Sequence, residues 1–119
     1  MKPGIDLEIL LRVVGNDPDM AREVVQDFVP AAQSGIGEIR AAVEGVAAEQ
    51  LSLACHRLKG SASLVGAHQL TALCAQLETA GEADDWPAIH LLTPQLEGVM
   101  RDIETSAEAF LRAHEASCV

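Results

Sequence analysis

The stretch Cys55-His56-Arg57-Leu58-Lys59-Gly60-Ser61-Ala62-Ser63-Leu64-Val65-Gly66 brings together a nucleophile, a cation and a position with no side chain. An imidazole titrates near neutrality, and its uncharged form offers a nucleophilic nitrogen that can form a phosphoramidate. Lys59 follows His56 by three residues, the spacing at which side chains are neighbours on a helix. An ammonium there favours an uncharged ring and would offset the charge of a phosphoryl group once transferred. Gly60 lies inside a helical pattern, where glycine costs about 1 kcal/mol relative to alanine. Its missing side chain, one turn beyond His56, leaves the ring open to another molecule's active site. Together these residues suit reversible capture of a phosphoryl group.

The helix that must position them follows from apolar spacing. At about 100° per residue, Leu51, Ala54, Cys55, Leu58, Ala62 and Val65 fall in one stripe that must face a core. His56 then lies roughly 140° from the centre of that stripe, with Glu49, Gly60 and Ser63 beside it and Lys59 on the shoulder. The histidine is expected in solvent. Leu53 and Leu64 also fall away from the stripe, and apolar side chains around a reactive group suggest docking, so Leu53, Arg57, Ser63 and Leu64 are the expected partner contacts.

Other readings bear on this one. A lone surface histidine is ordinarily just solvated, and only the company of Lys59 and Gly60 argues otherwise here. His68, His90 and His114 have no such company and read as ordinary residues, and none of the four histidines forms an i, i+4 zinc pair. Glu78, Glu82, Asp84 and Asp85 are most simply a solvated helix end and loop. No phosphate-binding G-x-x-x-x-G-K-[ST] loop or kinase signature is present, so the chain is expected to hold a phosphoryl group without making one from ATP. Whether such a phosphocarrier counts as an enzyme is left open.

Around that helix the pattern is helical throughout. Asp6 to Val14 reads as a short helix, and Asp17-Pro18 as the cap and first residue of the next. Met20, Val24, Phe28, Ile39 and Val43 form an interrupted stripe ending near Gly45, read as one long helix kinked at Pro30 or two shorter ones. A third helix runs from Ala48 to Leu64. A fourth carries Leu70, Leu73, Cys74 and Leu77 and stops at Gly81. A last helix opens at Trp86-Pro87, with Pro94 bending it and Ile89, Leu92, Leu96, Val99, Ile103 and Phe110 as its seam. The expectation is an all-α, up-and-down antiparallel four-helix bundle with a short additional N-terminal helix. It forms one domain over residues 1–119, with its core at about 5–112.

Composition agrees. Hydrophobic residues make up 49% of the 119, enough to bury one core, and Ala and Leu dominate over aromatics. A net charge of -10 argues against nucleic acid as a partner and fits docking to a basic surface. Cys55, Cys74 and Cys118 are widely spaced and expected as reduced thiols. No segment has the length of a membrane span, and a cytoplasmic monomer is expected.

His56-x-Leu58-Lys59-Gly60-Ser61-Ala62, followed by Gly66-Ala67 and Leu70, resembles the signature of histidine-containing phosphotransfer (HPt) domains of bacterial multistep phosphorelays. The resemblance extends over roughly residues 5 to 112. It implies that His56 is phosphorylated, that Lys59 lies near the phosphoryl group and that Gly60 makes room for a receiver domain. It implies partners as well: receiver domains, whose aspartates give and take the phosphoryl group, and a hybrid sensor kinase. The chain itself would bind no cofactor, and Mg2+ would sit on the receiver. Some members place a polar group from a neighbouring helix near the imidazole, for which Gln33, Gln76 and Glu78 are the choices. Two alternatives stand beside this reading: a helical module that regulates a signalling partner by binding alone, and the phosphorylated domain of a chemotaxis-type kinase.

Overall fold

The computed structural model describes residues 3–115, and these residues form six helices with no strand. They are α1 (Leu7–Val13), α2 (Pro18–Glu44), α3 (Ala48–Leu64), α4 (His68–Glu82), α5 (Trp86–Leu92) and α6 (Gln95–Glu115). Local chemistry sets most of the boundaries. The Asp6 carboxylate accepts the Glu8 N–H at the start of α1, and Asp17 accepts the N–H groups of Asp19 and Met20 ahead of Pro18. Asp85 caps α5 through the Ala88 N–H.

Helix α2 runs unbroken through Pro30. An interior proline removes one backbone hydrogen bond and costs about 3 kcal/mol, but Phe28 before it and Ala32 and Ile36 after it are buried in the same core. Tertiary packing thus keeps both halves in one helix. The buried face of α2 is Ala21, Val25, Phe28, Ala32, Ile36, Ile39 and Ala42, which is shifted from the expected stripe. Met20 is exposed, and Val24 and Val43 are only half-buried. The alanines decide this rotation, because small side chains let neighbouring helices approach, a preference that large apolar residues alone do not reveal.

The expected last helix is two. It breaks at Thr93 and Pro94, where α5 gives way to α6. Pro94 has no N–H to offer the carbonyl of His90, and its ring would crowd that carbonyl. The Thr93 hydroxyl instead donates to the Ile89 carbonyl at 2.7 Å.

The longer helices close a ring of contacts, with α2 on α3, α3 on α4, α4 on α6 and α6 back on α2; the closest association is α3 with α4. Leu51, Leu58, Leu70, Leu77, Leu96 and Ile103 fill the space they enclose. No helix among the described residues is long and apolar enough to cross a membrane.

Candidate functional site

Helix α3 orients the reactive stretch. Leu51, Ala54, Cys55, Leu58, Ala62 and Val65 are all buried, the full stripe read from spacing. With that face committed to the core, His56 is turned outward and its side chain is 68% exposed.

Two glycines bring α4 against this helix. Gly66 sits at φ +66°, where other residues are strained, and a Cβ there would lie 2.5 Å from Asp6 Cβ. The chain therefore reverses within a short turn. At the far end of α4, a Cβ on Gly81 would lie 2.6 Å from Ser52 Oγ and 3.3 Å from the Ala48 carbonyl, so glycine permits the close approach of the two helices. The Ser52 hydroxyl donates to the Glu78 carbonyl at 3.3 Å.

This approach carries Glu78 to the reactive face. Its Oε2 lies 3.1 Å from His56 Nδ1, and its Oε1 accepts from Lys59 Nζ at 2.6 Å. The Glu78 side chain is 16% exposed and that of Lys59 32%. A carboxylate only accepts hydrogen bonds, so in the neutral ring the His56 proton belongs on Nδ1 and the lone pair on Nε2. Nε2 has no hydrogen-bond partner among the described residues. In that tautomer the outward nitrogen is the nucleophilic one.

The electrostatics agree with this geometry. The Lys59 hydrogen bond, with that of His56, holds the Glu78 carboxyl below its ordinary range against the opposing effect of burial. The same bond to Glu78 is the chief cause that raises the Lys59 ammonium above its ordinary value. The spacing predicts Lys59 as a charge beside His56 that favours a neutral ring and offsets a phosphoryl group; the structure adds that its ammonium is engaged by Glu78. Beneath the site, burial pushes the Cys55 and Cys74 thiols up to about 12, so both are protonated at neutral pH.

A Cβ on Gly60 would meet nothing within 4 Å. Internal packing thus gives no reason for glycine there. Gly37 and Gly98 are equally open, so the access argument rests on where Gly60 stands, one turn from His56. Leu53 and Leu64 are both exposed. Arg57 Nη2 lies 3.5 Å from Glu38 Oε2 on α2, and the Ser63 hydroxyl donates back to the Gly60 carbonyl at 2.9 Å.

Of the three polar residues suggested for the imidazole, only Glu78 reaches it. Gln33 donates to Glu104 Oε2 on α6 at 2.7 Å, because its place on α2 faces α6. Gln76 lines a surface hollow between α4 and α5 with Thr79 and Leu92, about 200° around α4 from Glu78. The view of Glu78 as a solvated helix end is corrected: it borders the core stripe next to Leu77, and the pairing of α3 with α4 brings it to His56 and Lys59. Asp84 and Asp85 are likewise engaged, by the Trp86 indole N–H and the α5 N-terminus. His68 Nε2 lies 3.3 Å from Asp6 Oδ2, and His90 packs on the Trp86 ring. The side chain of His114, and Cys118, lie outside the described residues. No group of metal-binding side chains occurs among those described.

No curated protein sequence matches the chain. Among solved structures, it is similar to the crystal structure of histidine-containing phosphotransfer protein B (HptB) from Pseudomonas aeruginosa PAO1. The two share 20% identity and a TM-score of 0.86, over 95% of this chain and 98% of that one, which is a likeness of fold. The model of the Hpt domain matches residues 23–112, a span that contains His56, Lys59, Gly60 and Glu78. The chain belongs to the Hpt domain family, the histidine phosphotransfer domains that work with receiver domains in phosphorelays.

Proposed function

We propose that His56 is the phosphoacceptor, taking a phosphoryl group from the aspartate of one receiver domain and passing it to that of another. The observation that carries this reading is the 3.1 Å contact of Nδ1 with Glu78 on an exposed ring, which in the neutral imidazole puts the proton on Nδ1 and the lone pair on the outward Nε2. Nε2 attacks the phosphorus of the receiver's acyl phosphate, the P–O bond to the aspartate breaks, and the aspartate leaves as carboxylate. The ring keeps its Nδ1 proton and becomes a cation stabilised by Glu78. Return transfer reverses each bond change, with the ring departing as neutral imidazole.

Lys59 supplies positive charge to the phosphoryl oxygens, and Gly60 admits the receiver's active site. Leu53, Arg57, Ser63 and Leu64 are the docking surface. Mg2+ and the catalytic carboxylates belong to the receiver, and this chain needs no cofactor of its own. We read the domain as an up-and-down antiparallel four-helix bundle of α2, α3, α4 and α6, with α1 as an added N-terminal helix and the core at about residues 5–112. The ring of helix contacts and the short connections support that reading. We further propose a cytoplasmic monomer fed by a hybrid sensor kinase through its receiver.

The test is transfer of labelled phosphate from a phosphorylated receiver to the native chain and to His56→Gln. Label on the native chain alone is expected. Equal labelling of both would sink the assignment.

A further inference from the structure

Resting on His56 as the acceptor, we propose that Glu78 holds Lys59 in reserve: phosphorylation draws the ammonium from Glu78 to the phosphoryl group, and the pull of Glu78 sets how long His56 keeps its phosphate. One carboxylate divides its two oxygens between the two residues, Oε2 to His56 and Oε1 to Lys59 at 2.6 Å, at the short end for a charge-assisted bond. Lys59 has a flexible four-carbon stem and stands one turn from His56, so a phosphoryl group on Nε2 comes within its reach. Arg57, the other cation of this stretch, is turned to Glu38 on α2. Lys59 is therefore the cation the phosphoryl group recruits, and to recruit it the group must break the pair with Glu78.

Glu78 acts against retention in three ways. It competes for the ammonium. Its charge repels the phosphoryl dianion. It also keeps Nδ1 protonated, so that the ring leaves as neutral imidazole rather than as an anion. In hydrolysis the Nε2–P bond breaks, its electron pair returns to Nε2, water oxygen bonds to phosphorus, and one proton is released. Glu78→Gln keeps an oxygen that can accept from Nδ1 but removes the charge that binds Lys59.

The experiment loads the chain with phosphoramidate, whose P–N bond breaks as Nε2–P forms and ammonia leaves, so no receiver is required. After the donor is removed, loss of phosphate from His56 is followed by 31P NMR. Glu78→Gln should lengthen the half-life about threefold to tenfold, the range for one charge-assisted bond partly screened by solvent. Lys59→Met should shorten it, and in the Lys59→Met background the effect of Glu78→Gln should shrink at least threefold. An equal effect in both backgrounds, or no lengthening, overturns the handover while leaving the acceptor assignment intact. Failure of phosphoramidate to label His56 in the native chain overturns both. A second readout needs no variant: nuclear Overhauser contacts between Lys59 Hε and Glu78 Hγ should vanish when the native chain is phosphorylated, and their persistence would refute the exchange.

Discussion

Among the described residues two histidines touch a carboxylate on another segment, and only His56 has an open glycine and a lysine beside it. His56 contacts Glu78 through Nδ1 at 3.1 Å, and His68 contacts Asp6 through Nε2 at 3.3 Å. By distance alone the two pairs are nearly alike. They differ in what surrounds them. His56 stands mid-helix, 68% exposed, with Lys59 sharing its carboxylate and Gly60 open beside it. His68 is the first residue of α4, 41% exposed, and its partner Asp6 also caps α1 and donates its backbone N–H to the Val65 carbonyl. The first pair aims a nitrogen at solvent; the second ties the N-terminal segment to the turn between α3 and α4. A histidine beside a carboxylate becomes a site through the nitrogen it leaves open and the charge and space around that nitrogen.

The sharpest way to break this comparison is to exchange each histidine in turn. His56→Gln should abolish labelling from a phosphorylated receiver, whereas His68→Gln should stay within about twofold of the native rate, because its ring makes a peripheral tie. Substantial loss of labelling in His68→Gln would erase the distinction.

Next in size is Gly60→Leu. Transfer from a receiver should fall at least a hundredfold, on the order of 3 kcal/mol in the barrier, while small phosphoramidate still labels His56. Because the position is open, the same change should stabilise the helix by up to about 1 kcal/mol in thermal melts. Normal transfer in this variant, or failure with both donors, would count against steric access.

Lys59→Ala should slow receiver transfer about tenfold through lost charge stabilisation and leave the helical circular dichroism unchanged. A native rate would remove the lysine from the site.

The pH dependence of stability tests the Glu78 side of the comparison. Glu78 has a lowered pKa, so its contribution is present above the ordinary carboxylate range and is lost as pH falls through the lowered value. Lys59 has a raised pKa, so its contribution is present below the ordinary lysine range and is lost as pH rises through the raised value. Melting temperatures of the native chain and Glu78→Gln should therefore differ across neutral pH and converge in acid. A gap that persists at low pH would mean the glutamate acts by packing. The smallest effect is expected for Asp6→Asn, about 1 kcal/mol or less in thermal melts, because the amide oxygen can still accept the Glu8 N–H and only the charge facing the 41% exposed His68 is lost.

Much of this was legible before any coordinates. The α3 stripe could be read because a helix has one period and six apolar residues matched it, and once that face was buried His56 had nowhere to point but outward. Asp17 and Pro18 marked the start of α2, since capping is a local hydrogen-bonding problem. Where chemistry was local, spacing sufficed. It misled where packing against another element had the deciding vote: alanines, not Met20 and Val24, face the core on α2, and Pro94 ends a helix while Pro30 does not.

The amino-acid order alone therefore determined helix α3, the start of α2, the outward imidazole, and the lysine and glycine one turn away, since each depends on residues within a few positions of one another. Tertiary structure alone decided which carboxylate holds the ring. Glu78 lies 22 residues from His56, and Gln33 and Gln76 were chemically plausible rivals. The approach of α4 to α3, permitted at Gly66 and Gly81, brings two Glu78 oxygens to two different donors, and no rule of spacing within one helix can describe a contact made between two.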